Sequence, residues 1–600
     1  MPEITFLPDR ITVELSEGEL ILEGARHAGV FVETPCGGKG TCAKCIVRIV
    51  SGAVNFLNNT GLDTSDGSVL ICQTWILNEP VVVELVNSRD GKGKFADLDI
   101  SEYLPEDRQP FLKCVSLTVP KPQLLDGLSD LDRFTDSLKK SVKCSGIRLP
   151  IDVLTELPNA LREKDETHVS YYIANSVAHV VNVNGLDKIY GAAVDIGTTT
   201  ISLMLVDIES GTVLGSQTAY NAQIECGQDI ISRINYAKKY RIELKERVLS
   251  TINTLISEVS NAAGIRTDNI YCLSFAANTT MTQMLLGIEP EYIRLAPYTP
   301  AIFSTPVYTA EEIGVDANKK APVAIAPAVG SYVGGDITAG ALCTCLANDS
   351  SDTILFIDIG TNGEILLGNN EFIFACACSA GPAFEGGGVK HGVRASSGAI
   401  EKVIIDAETG IPEIFTIDNA DPVGICGSGI ISLVAELFRN GLIDSAGKFS
   451  YKDCKNIIGT GRSRVYQLCD GVSINEQDIE NLIRAKGAVF SACQTLLDSV
   501  GLTFDELDRV YVAGGFGRFL NLDDARTIGL LPRLPDSKYV FLGNTSLIGS
   551  YLTLVSEEQR LKMHEIANVT TYVDLSSEAD YMDKYMAAVF LPHTDMSLFD

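Results

Sequence analysis

Long hydrophobic runs are missing from this chain of 600 residues. No stretch contains the roughly 18 uninterrupted apolar residues that a bilayer-spanning helix needs. The opening residues MPEITFLPDR also lack the basic start and the apolar core of a signal peptide. We therefore expect a cytoplasmic protein without a membrane segment.

Positive charge is scarce: 48 Lys and Arg stand against 77 Asp and Glu, which gives a net charge of −29. A surface this acidic repels the phosphate backbone of nucleic acids and the anionic lipids of membranes. Neither is therefore expected as a partner, whereas proteins with basic patches are favoured. The apolar fraction of 46% is that of a globular protein, and the length requires several domains.

Histidine is also scarce, and the six residues show no H-x3-H or similar spacing that would indicate a metal site. His391 follows a glycine-rich turn, where a structural role is favoured and a functional one stays open. Sixteen cysteines are scattered along the chain, and without an export signal they are interpreted as reduced thiols. Cys376 and Cys378 point to one face of a predicted strand without partners at metal-ligand spacing. They are interpreted as core thiols, with a second cluster between two subunits as the alternative.

Four cysteines near the N-terminus form a pattern of their own. The spacing is C-x5-C-x2-C, followed by a fourth cysteine 27 residues later. Four thiolates are the ligand set of a [2Fe–2S] cluster, and the glycines between them let the backbone wrap closely around the sulfurs. A structural zinc or unligated thiols are the alternatives, but zinc sites more often show two C-x2-C pairs. The predicted cluster ligands are Cys36, Cys42, Cys45 and Cys72.

The segments around these cysteines alternate in the manner of strands. EITF, ITVEL, CIVRIV and PVVVELV are predicted strands, and a short helix is predicted over residues 21–28. Together with the cysteine loop, they resemble the β-grasp ferredoxin domain over residues 1–88. Such a domain moves one electron at a time and performs no bond chemistry.

An internal repeat occupies the larger C-terminal part. VDIGTTT, which ends a strand at Asp195, and IDIGTNG, which ends one at Asp358, each open a unit of strand, turn, strand, turn and strand. Backbone N–H groups and hydroxyls in such turns can bind phosphate, and the carboxylates can hold hydrated Mg²⁺. A third element, RVYVAGGFGRFL, offers a bare glycine turn that a flat base can approach. A structural duplication without a ligand is the alternative. No P-loop motif is present, and no G-x-G-x-x-G opens a βαβ unit.

This three-part pattern resembles the actin, Hsp70 and hexokinase-like (ASKHA) ATPase superfamily, in which two RNase H-like lobes flank a cleft that closes on ATP. The resemblance implies two catalytic carboxylates on the magnesium side, Asp195 and Asp358. It implies a first phosphate loop of Gly197, Thr198, Thr199 and Thr200 and a second of Gly360, Thr361, Asn362 and Gly363. Gly514 and Gly515 would flank the adenosine.

A ferredoxin domain joined to such an ATPase resembles the reductive activators of corrinoid enzymes. The stretches GQDIISRI, ANTTMTQMLLG, GSYVGGDITAG, CSAGPAFEG, GICGSG and GNTSLIG carry the same resemblance. It implies a [2Fe–2S] cluster, ATP and Mg²⁺ as cofactors, and an ATP-driven return of Co(II) to Co(I) in a corrinoid protein of an anaerobic methyltransferase system. A low-potential electron donor is a further implied partner, and a homodimer through the ATPase domain stays open.

We accordingly expect a multidomain α/β and α+β protein. Its predicted parts are a ferredoxin domain (1–88), a linker (89–112), a small middle α/β domain (113–187) and a duplicated RNase H-like ATPase (188–600). An acidic linker of this kind would let the ferredoxin domain swing between donor and acceptor. Asp229, Arg233 and Glu385 are candidates for positioning the attacking water, with helix-surface charges or loop caps as the alternative.

Three other functions stay open. A small-molecule kinase on the same fold would use the ferredoxin domain only for regulation. An activator of hydroxyacyl-CoA dehydratases would place its cluster within the ATPase, which fits poorly with cysteines near the N-terminus. A redox-sensing adaptor would use nucleotide only as a switch.

Overall fold

The structure is a computed structural model of the whole chain. It describes residues 2–7, 10–28, 30, 32, 40, 45–57, 67–85, 100, 103–105, 108–124, 126–163, 165–186, 188–227, 229–348, 350–450, 454–514 and 520–599. Cys36, Cys42, Gly515 and most of the predicted linker lie outside these ranges. Within them, no helix is both long enough and apolar enough to cross a membrane.

The first unit is a mixed sheet packed on one helix. Its elements are β1 (Glu3–Leu7), β2 (Ile11–Glu14), α1 (Ile21–His27), β3 (Ile46–Ser51), β4 (Val54–Phe56), β5 (Ser68–Leu70), β6 (Thr74–Ile76) and β7 (Val81–Leu85). The main sheet has the order β2-β1-β7-β3-β5, with β1 and β7 parallel. The predicted helix is α1, which buries Ile21, Leu22 and Ala25 in the core of this unit. The predicted β-grasp fold is confirmed.

A small unit follows, with two helices on one face of a four-stranded sheet. Its elements are β8 (Lys113–Leu117), α2 (Asp130–Ser141), β9 (Gly146–Arg148), α3 (Ile151–Glu163), β10 (Thr167–Ala174) and β11 (Val177–Asn182). Helix α2 begins after Ser129 because Ser129 and Asp132 form a capping box. Tyr172, Val181 and Phe111 pack into the core of the C-terminal part, where the Phe111 N–H also donates to the Leu554 carbonyl at 3.0 Å.

The first lobe contains the first copy of the predicted repeat. Its elements are β12 (Tyr190–Ile196), β13 (Thr200–Asp207), β14 (Val213–Tyr220), α4 (Ile230–Ala262), β15 (Ile270–Ala277), α5 (Thr279–Leu286), β16 (Tyr308–Thr309), α6 (Ala310–Ile313), β17 (Pro322–Ile325) and α7 (Gly335–Ala341). The sheet order is β14-β13-β12-β15-β17-β16. Strands β12 to β14 are antiparallel neighbours, whereas β15 and β17 are added in parallel.

The second lobe contains the second copy. Its elements are β18 (Ile354–Ile359), β19 (Gly363–Gly368), β20 (Ile373–Cys378), β21 (Ala399–Ile405), β22 (Pro412–Thr416), β23 (Gly424–Ile425), α8 (Gly427–Arg439), β24 (Ile457–Ile458), β25 (Val465–Cys469), β26 (Val472–Asn475), α9 (Glu476–Ser499), β27 (Arg509–Ala513), α10 (Leu522–Thr527), β28 (Tyr539–Phe541), α11 (Thr545–Val555), α12 (Glu557–Val569), β29 (Thr570–Tyr572) and α13 (Tyr581–Ala588). The sheet order β28-β27-β18-β19-β20-β29 repeats the pairing of the first lobe, so the predicted duplication is confirmed.

Two helices join the lobes by crossing between their sheets. Helix α11 belongs to the second lobe in sequence but packs on β12 and β15 of the first, and α7 packs on α11. The crossing is close because both helices contain glycine. A Cβ on Gly549 would lie 2.1 Å from the Ala339 carbonyl oxygen, and one on Gly340 would lie 2.9 Å from the ring of Phe356. Backbone contact of this kind fixes the distance between the two helices.

We expect Gly549→Ala to lower the free energy of unfolding by about 2–3 kcal/mol, because the added methyl must push α11 away from α7. Gly487→Ala is the matched control, since this glycine also lies inside a helix but its nearest neighbour is the Val589 side chain at 3.1 Å. That variant should stay within about 1 kcal/mol of the wild type. Chemical denaturation of the C-terminal part measures both, and equal losses would contradict the close crossing.

Candidate electron-transfer centre and nucleotide cleft

Two of the four predicted cluster ligands lie side by side in the first unit. Cys45 directly precedes β3, and Cys72 lies in a short turn between β5 and β6. Their Sγ atoms are 3.2 Å apart, and both side chains are buried. That distance is far too long for a disulfide of about 2.05 Å. It is closer to the roughly 3.7 Å that separates two thiolates bound at about 2.3 Å to one tetrahedral metal.

Gln73 adds a polar contact at this pair. Its Nε2 donates to the Cys72 carbonyl at 2.7 Å and lies 3.9 Å from the Cys72 Sγ. A Cβ on Gly40, which has a φ of +75°, would lie 2.8 Å from the Gln73 side chain, so the cysteine loop needs glycine here. Hydrogen bonds to ligand sulfurs are among the factors that set cluster potentials. Cys45, Cys72 and their surroundings therefore fit a [2Fe–2S] cluster.

The predicted first phosphate loop is held by donors that lie below it. The Asn221 side chain donates from Nδ2 to the Gly197 carbonyl at 3.0 Å, and its backbone N–H donates to the Thr199 carbonyl at 2.9 Å. Nδ2 of Asn278 donates to the Thr198 hydroxyl at 3.2 Å, while its Oδ1 caps α5. The loop is therefore fixed from one side, and its other side faces the cleft.

The second loop meets the first across the cleft. The hydroxyl oxygens of Thr199 and Thr361 are 3.1 Å apart, at hydrogen-bond distance. The Thr361 hydroxyl also contacts Glu385, whose Oε2 accepts at 2.8 Å. The two turns that the sequence singles out, one from each lobe, thus form one site, as the ASKHA resemblance implies.

Four carboxylates converge beneath these loops: Asp195, Asp336, Asp358 and Glu364. Burial raises the pKa of Asp195 to about 7, where a 2.7 Å hydrogen bond from Asn544 opposes the shift and the charge of Asp336 adds to it. Burial and the charges of Asp336 and Asp195 raise the pKa of Asp358 to about 7 as well. Burial raises the pKa of Asp336 to about 6 and that of Glu364 well above its usual range. Such a cluster attracts a cation.

In the described part of the chain, no three of these side chains converge to direct metal-binding distance. Mg²⁺ usually retains several waters and is bound by one or two carboxylates together with substrate phosphates. The arrangement therefore suits a magnesium ion that arrives with a polyphosphate better than a cage of protein ligands.

The glycine turn after β27 approaches the second loop. Gly514 has a φ of +108°, and a Cβ there would lie 2.1 Å from the Ile359 carbonyl oxygen. Only glycine fits this position, so the turn is pressed against the end of β18. This places Gly514 next to the second phosphate loop, whereas Gly515 lies outside the described residues.

The three candidates for positioning water have different surroundings. Asp229 is the N-cap of α4 and accepts from the Ser232 N–H at 2.7 Å, which is the capping alternative. Arg233 is fully buried beneath the first loop and donates to the Thr198 carbonyl. Glu385 contacts the second loop through Thr361.

Sequence reasoning missed Asn221, Asn278, Asn544, Asp336 and Glu364. Asn278, Asp336 and Asn544 lie in motifs that carry the family resemblance, and each is a polar residue beside a glycine or at a helix start. A polar residue in such a position is the sequence signal that could have identified them. The cysteine pair Cys376 and Cys378 is buried in the core of the second lobe, in agreement with its interpretation.

A cavity of about 650 Å³ lies elsewhere in the second lobe, between β21, α8, α10 and residues 592–599. Its lining includes Arg439, which pairs with Asp524 and with Glu436 at 3.0 Å. None of its described lining residues belongs to the phosphate loops, so this cavity is separate from the loop site.

Family models match almost the whole chain. A 2Fe-2S iron-sulfur cluster binding domain matches residues 4–77, the RACo linker region 106–188, the RACo middle region 190–349, and the C-terminal ASKHA domain of RACo 352–600. The corrinoid activation enzyme RamQ of Eubacterium limosum is 30% identical over 597 residues, covering 96% of both chains. The chain belongs to the RACo family of reductive activators.

Two further comparisons agree with membership of the RACo family. The [Co(II) methylated amine-specific corrinoid protein] reductase of Methanosarcina barkeri is 27% identical over 404 residues, covering 62% of this chain and 71% of its own length. A solved structure titled reductive activator for corrinoid,iron-sulfur protein is 40% identical, covers all of both chains and superposes with a TM-score of 0.75. The predicted ferredoxin and ASKHA parts of this RACo-family chain are confirmed.

The carboxylate cluster predicts that the stability of the folded protein depends on pH. Because the folded pKa values lie above the ordinary value of about 4, these carboxyls keep protons in the metal-free folded protein that the unfolded chain has already lost. The folded state is therefore most stable below about pH 4, and its stability falls as pH rises from about 4 to about 7. Asp336→Asn removes one of the groups with a raised pKa, so in EDTA it should raise the Tm by roughly 2 °C at pH 8 but have little effect at pH 4, where this carboxyl is protonated in the folded protein and about half protonated in the unfolded chain. Asp470→Asn, at an exposed turn, is the control. A rise that is equal at both pH values would contradict the charge repulsion.

A second prediction concerns the contact of Arg394 with Tyr220 across the cleft. The guanidinium carbon lies 4.6 Å from the centre of the ring, and the two residues belong to different lobes. A cation–π contact contributes about 1 kcal/mol, so Arg394→Ala should weaken Mg-ATP binding roughly fivefold by favouring the open cleft. Tyr220→Phe keeps the ring and should bind normally, and adding Tyr220→Ala to Arg394→Ala should cost nothing more. Additive losses in titration calorimetry would show that the contact does not hold the lobes.

Proposed function

We propose that this protein passes single electrons through a [2Fe–2S] cluster to a corrinoid protein and, driven by ATP, returns inactive Co(II) to Co(I) for methyl transfer. The observation that carries the proposal is the combination of two features in one chain. Cys45 and Cys72 pair in a ferredoxin-type unit, and Thr199 and Thr361 join two phosphate loops across a cleft. The names of the RACo-family relatives, which are corrinoid activators and a Co(II) corrinoid protein reductase, support the choice of substrate.

ATP is needed because the cobalt couple is strongly reducing. For a one-electron step, each ~59 mV of mismatch between donor and acceptor shifts the equilibrium tenfold. When bound, the cluster supplies the electron and Mg-ATP supplies the free energy of hydrolysis. Lobe closure can couple the two if the closed form binds the corrinoid protein more tightly than the open form.

The residues of the cleft have separate proposed roles. Asp195 and Asp358 hold the waters of Mg²⁺, since both lie at strand ends beneath the loops. The loop residues Gly197, Thr198, Thr199, Thr200, Gly360, Thr361, Asn362 and Gly363 bind the phosphates through N–H groups and hydroxyls. Gly514 and Gly515 flank the adenosine. Glu385, which accepts from Thr361 at 2.8 Å, orients the attacking water.

The remaining partners belong to the same proposal. Reduction of the cluster requires a low-potential one-electron donor, because the acceptor is strongly reducing. Cys36 and Cys42 complete the ligand set with Cys45 and Cys72. A homodimer through the ATPase lobes and a swing of the ferredoxin unit on residues 89–112 stay predictions from the sequence.

An anaerobic absorbance assay tests the proposal. The reconstituted protein, a reductant and a Co(II) corrinoid protein are mixed, and Co(I) is followed with and without Mg-ATP. We expect Co(I) only with Mg-ATP, and a loss of at least tenfold in both Cys72→Ala and Asp195→Asn. Cys454→Ala, a buried thiol outside both centres, is the control.

Other outcomes favour the alternatives. If Co(I) forms equally well without ATP, the cleft would act only as a nucleotide switch, as in the redox-sensing adaptor. ATP turnover with a metabolite that survives Cys72→Ala would indicate a small-molecule kinase.

A further inference from the structure

The two predicted phosphate loops have no positively charged side chain of their own for binding a polyphosphate. Neither phosphate loop, 197–200 or 360–363, contains Lys or Arg. Four carboxylates lie beneath the loops, and the phosphates of ATP carry about four further negative charges, of which Mg²⁺ neutralises about two. A positive charge near the loops, in addition to Mg²⁺, would therefore favour the binding of ATP.

Arg233 lies where that charge is needed. It is in the first turn of α4, and its exposed fraction is 0%. Its Nε donates to the Gly227 carbonyl at 2.7 Å, Nη1 donates to Gln223 Oε1 at 3.2 Å, and Nη2 donates to the Thr198 carbonyl. Within the described ranges it makes no ion pair with a carboxylate, since nearby Asp229 is engaged in capping α4. A buried guanidinium of this kind is costly to retain for packing alone.

The contact with Thr198 also orients the loop. In a trans peptide, the carbonyl and the following N–H point in opposite directions. Because Arg233 holds the Thr198 carbonyl from below, the Thr199 N–H points away from the protein interior and towards the cleft. Asn221 holds the Gly197 carbonyl in the same way, which turns the Thr198 N–H outwards. Successive N–H groups aimed at one point form an anion-binding concavity.

We propose that Arg233 is a positioning residue for the polyphosphate: it fixes the Thr198–Thr199 peptide with its N–H towards the cleft and supplies a buried positive charge beneath the phosphates. This role rests on the proposed function of the cleft as an ATP site. Arg233 does not touch the nucleotide, so its effect falls on binding and orientation rather than on a proton transfer.

Binding measurements on two variants test the role. Arg233→Met removes the positive charge and the hydrogen bond that fixes the Thr198–Thr199 peptide. Arg233→Lys keeps the charge but loses the forked set of donors. We expect the Kd for Mg-ATP to rise roughly tenfold or more in Arg233→Met and about threefold in Arg233→Lys. The loss for Mg-ADP should be smaller because one phosphate fewer feels the charge. Titration calorimetry gives Kd, and thermal melts report folding separately.

Arg247→Met is the matched control. Arg247 lies on the same helix, but it pairs with Glu225 and with Glu243 at 2.9 Å and stays away from the loops. It should lower the Tm without changing the Kd. If Arg233→Met fails to fold, Arg233→Lys alone decides, and an unchanged Kd in that variant would overturn the role.

Two further outcomes separate this inference from the proposed function. A wild type that binds Mg-ATP while both Arg233 variants bind it equally well leaves the ATP site intact and overturns the role of Arg233. A wild type that does not bind Mg-ATP overturns both.

Discussion

Repulsion among four carboxylates is the constraint on which the C-terminal half of this protein depends. Asp195, Asp336, Asp358 and Glu364 come from both lobes, and the charges of Asp195, Asp336 and Asp358 each raise the pKa of at least one other carboxyl of the cluster. Without a cation the two lobes therefore push each other apart at the base of the cleft, while Thr199 and Thr361 hold them together at the loops. At the proposed site, a magnesium nucleotide would replace the repulsion among the carboxylates by attraction to the metal and would add contacts between the two loops. The balance between open and closed forms is thereby set by the ligand.

The frame around the cleft is stiff enough to transmit this change. Two sheets of the same strand order present their first hairpins to each other, and α7 and α11 cross between them at glycine contacts. Asn544, which caps α11, also donates to Asp195. The helix that joins the lobes thus begins at one of the carboxylates. Because packed interfaces shift between discrete arrangements, a small change in charge at Asp195 can move α11 as a unit.

The sequence predicts those parts of the fold and site that are local in the chain. The C-x5-C-x2-C spacing, each single Asp-x-Gly-Thr turn and the glycine turn at Gly514 lie within a dozen residues, and the RNase H-like duplication follows from the order of strands. Asn544 and Asp195 are 349 residues apart, and no periodicity connects them. From the sequence, Arg233 is a candidate for positioning the attacking water with a helix-surface charge as the alternative, and only the structure places its turn of α4 beneath the first loop. Asp229 lies in the same motif as Arg233, and in the structure it is the N-cap of α4.

We infer that the coupling between nucleotide and electron uses the partner protein. In the described part of the chain, the buried core around Cys45 and Cys72 contains residues of the first unit alone, whereas the small middle unit shares a core with the lobes. Lobe closure therefore has no packed route to the cluster through these residues. A shift in cluster potential caused by closure would need such a route or a charge nearby. Closure can instead change how tightly, and in what geometry, the lobes hold the corrinoid protein, so that ATP acts on the acceptor while the ferredoxin unit delivers the electron.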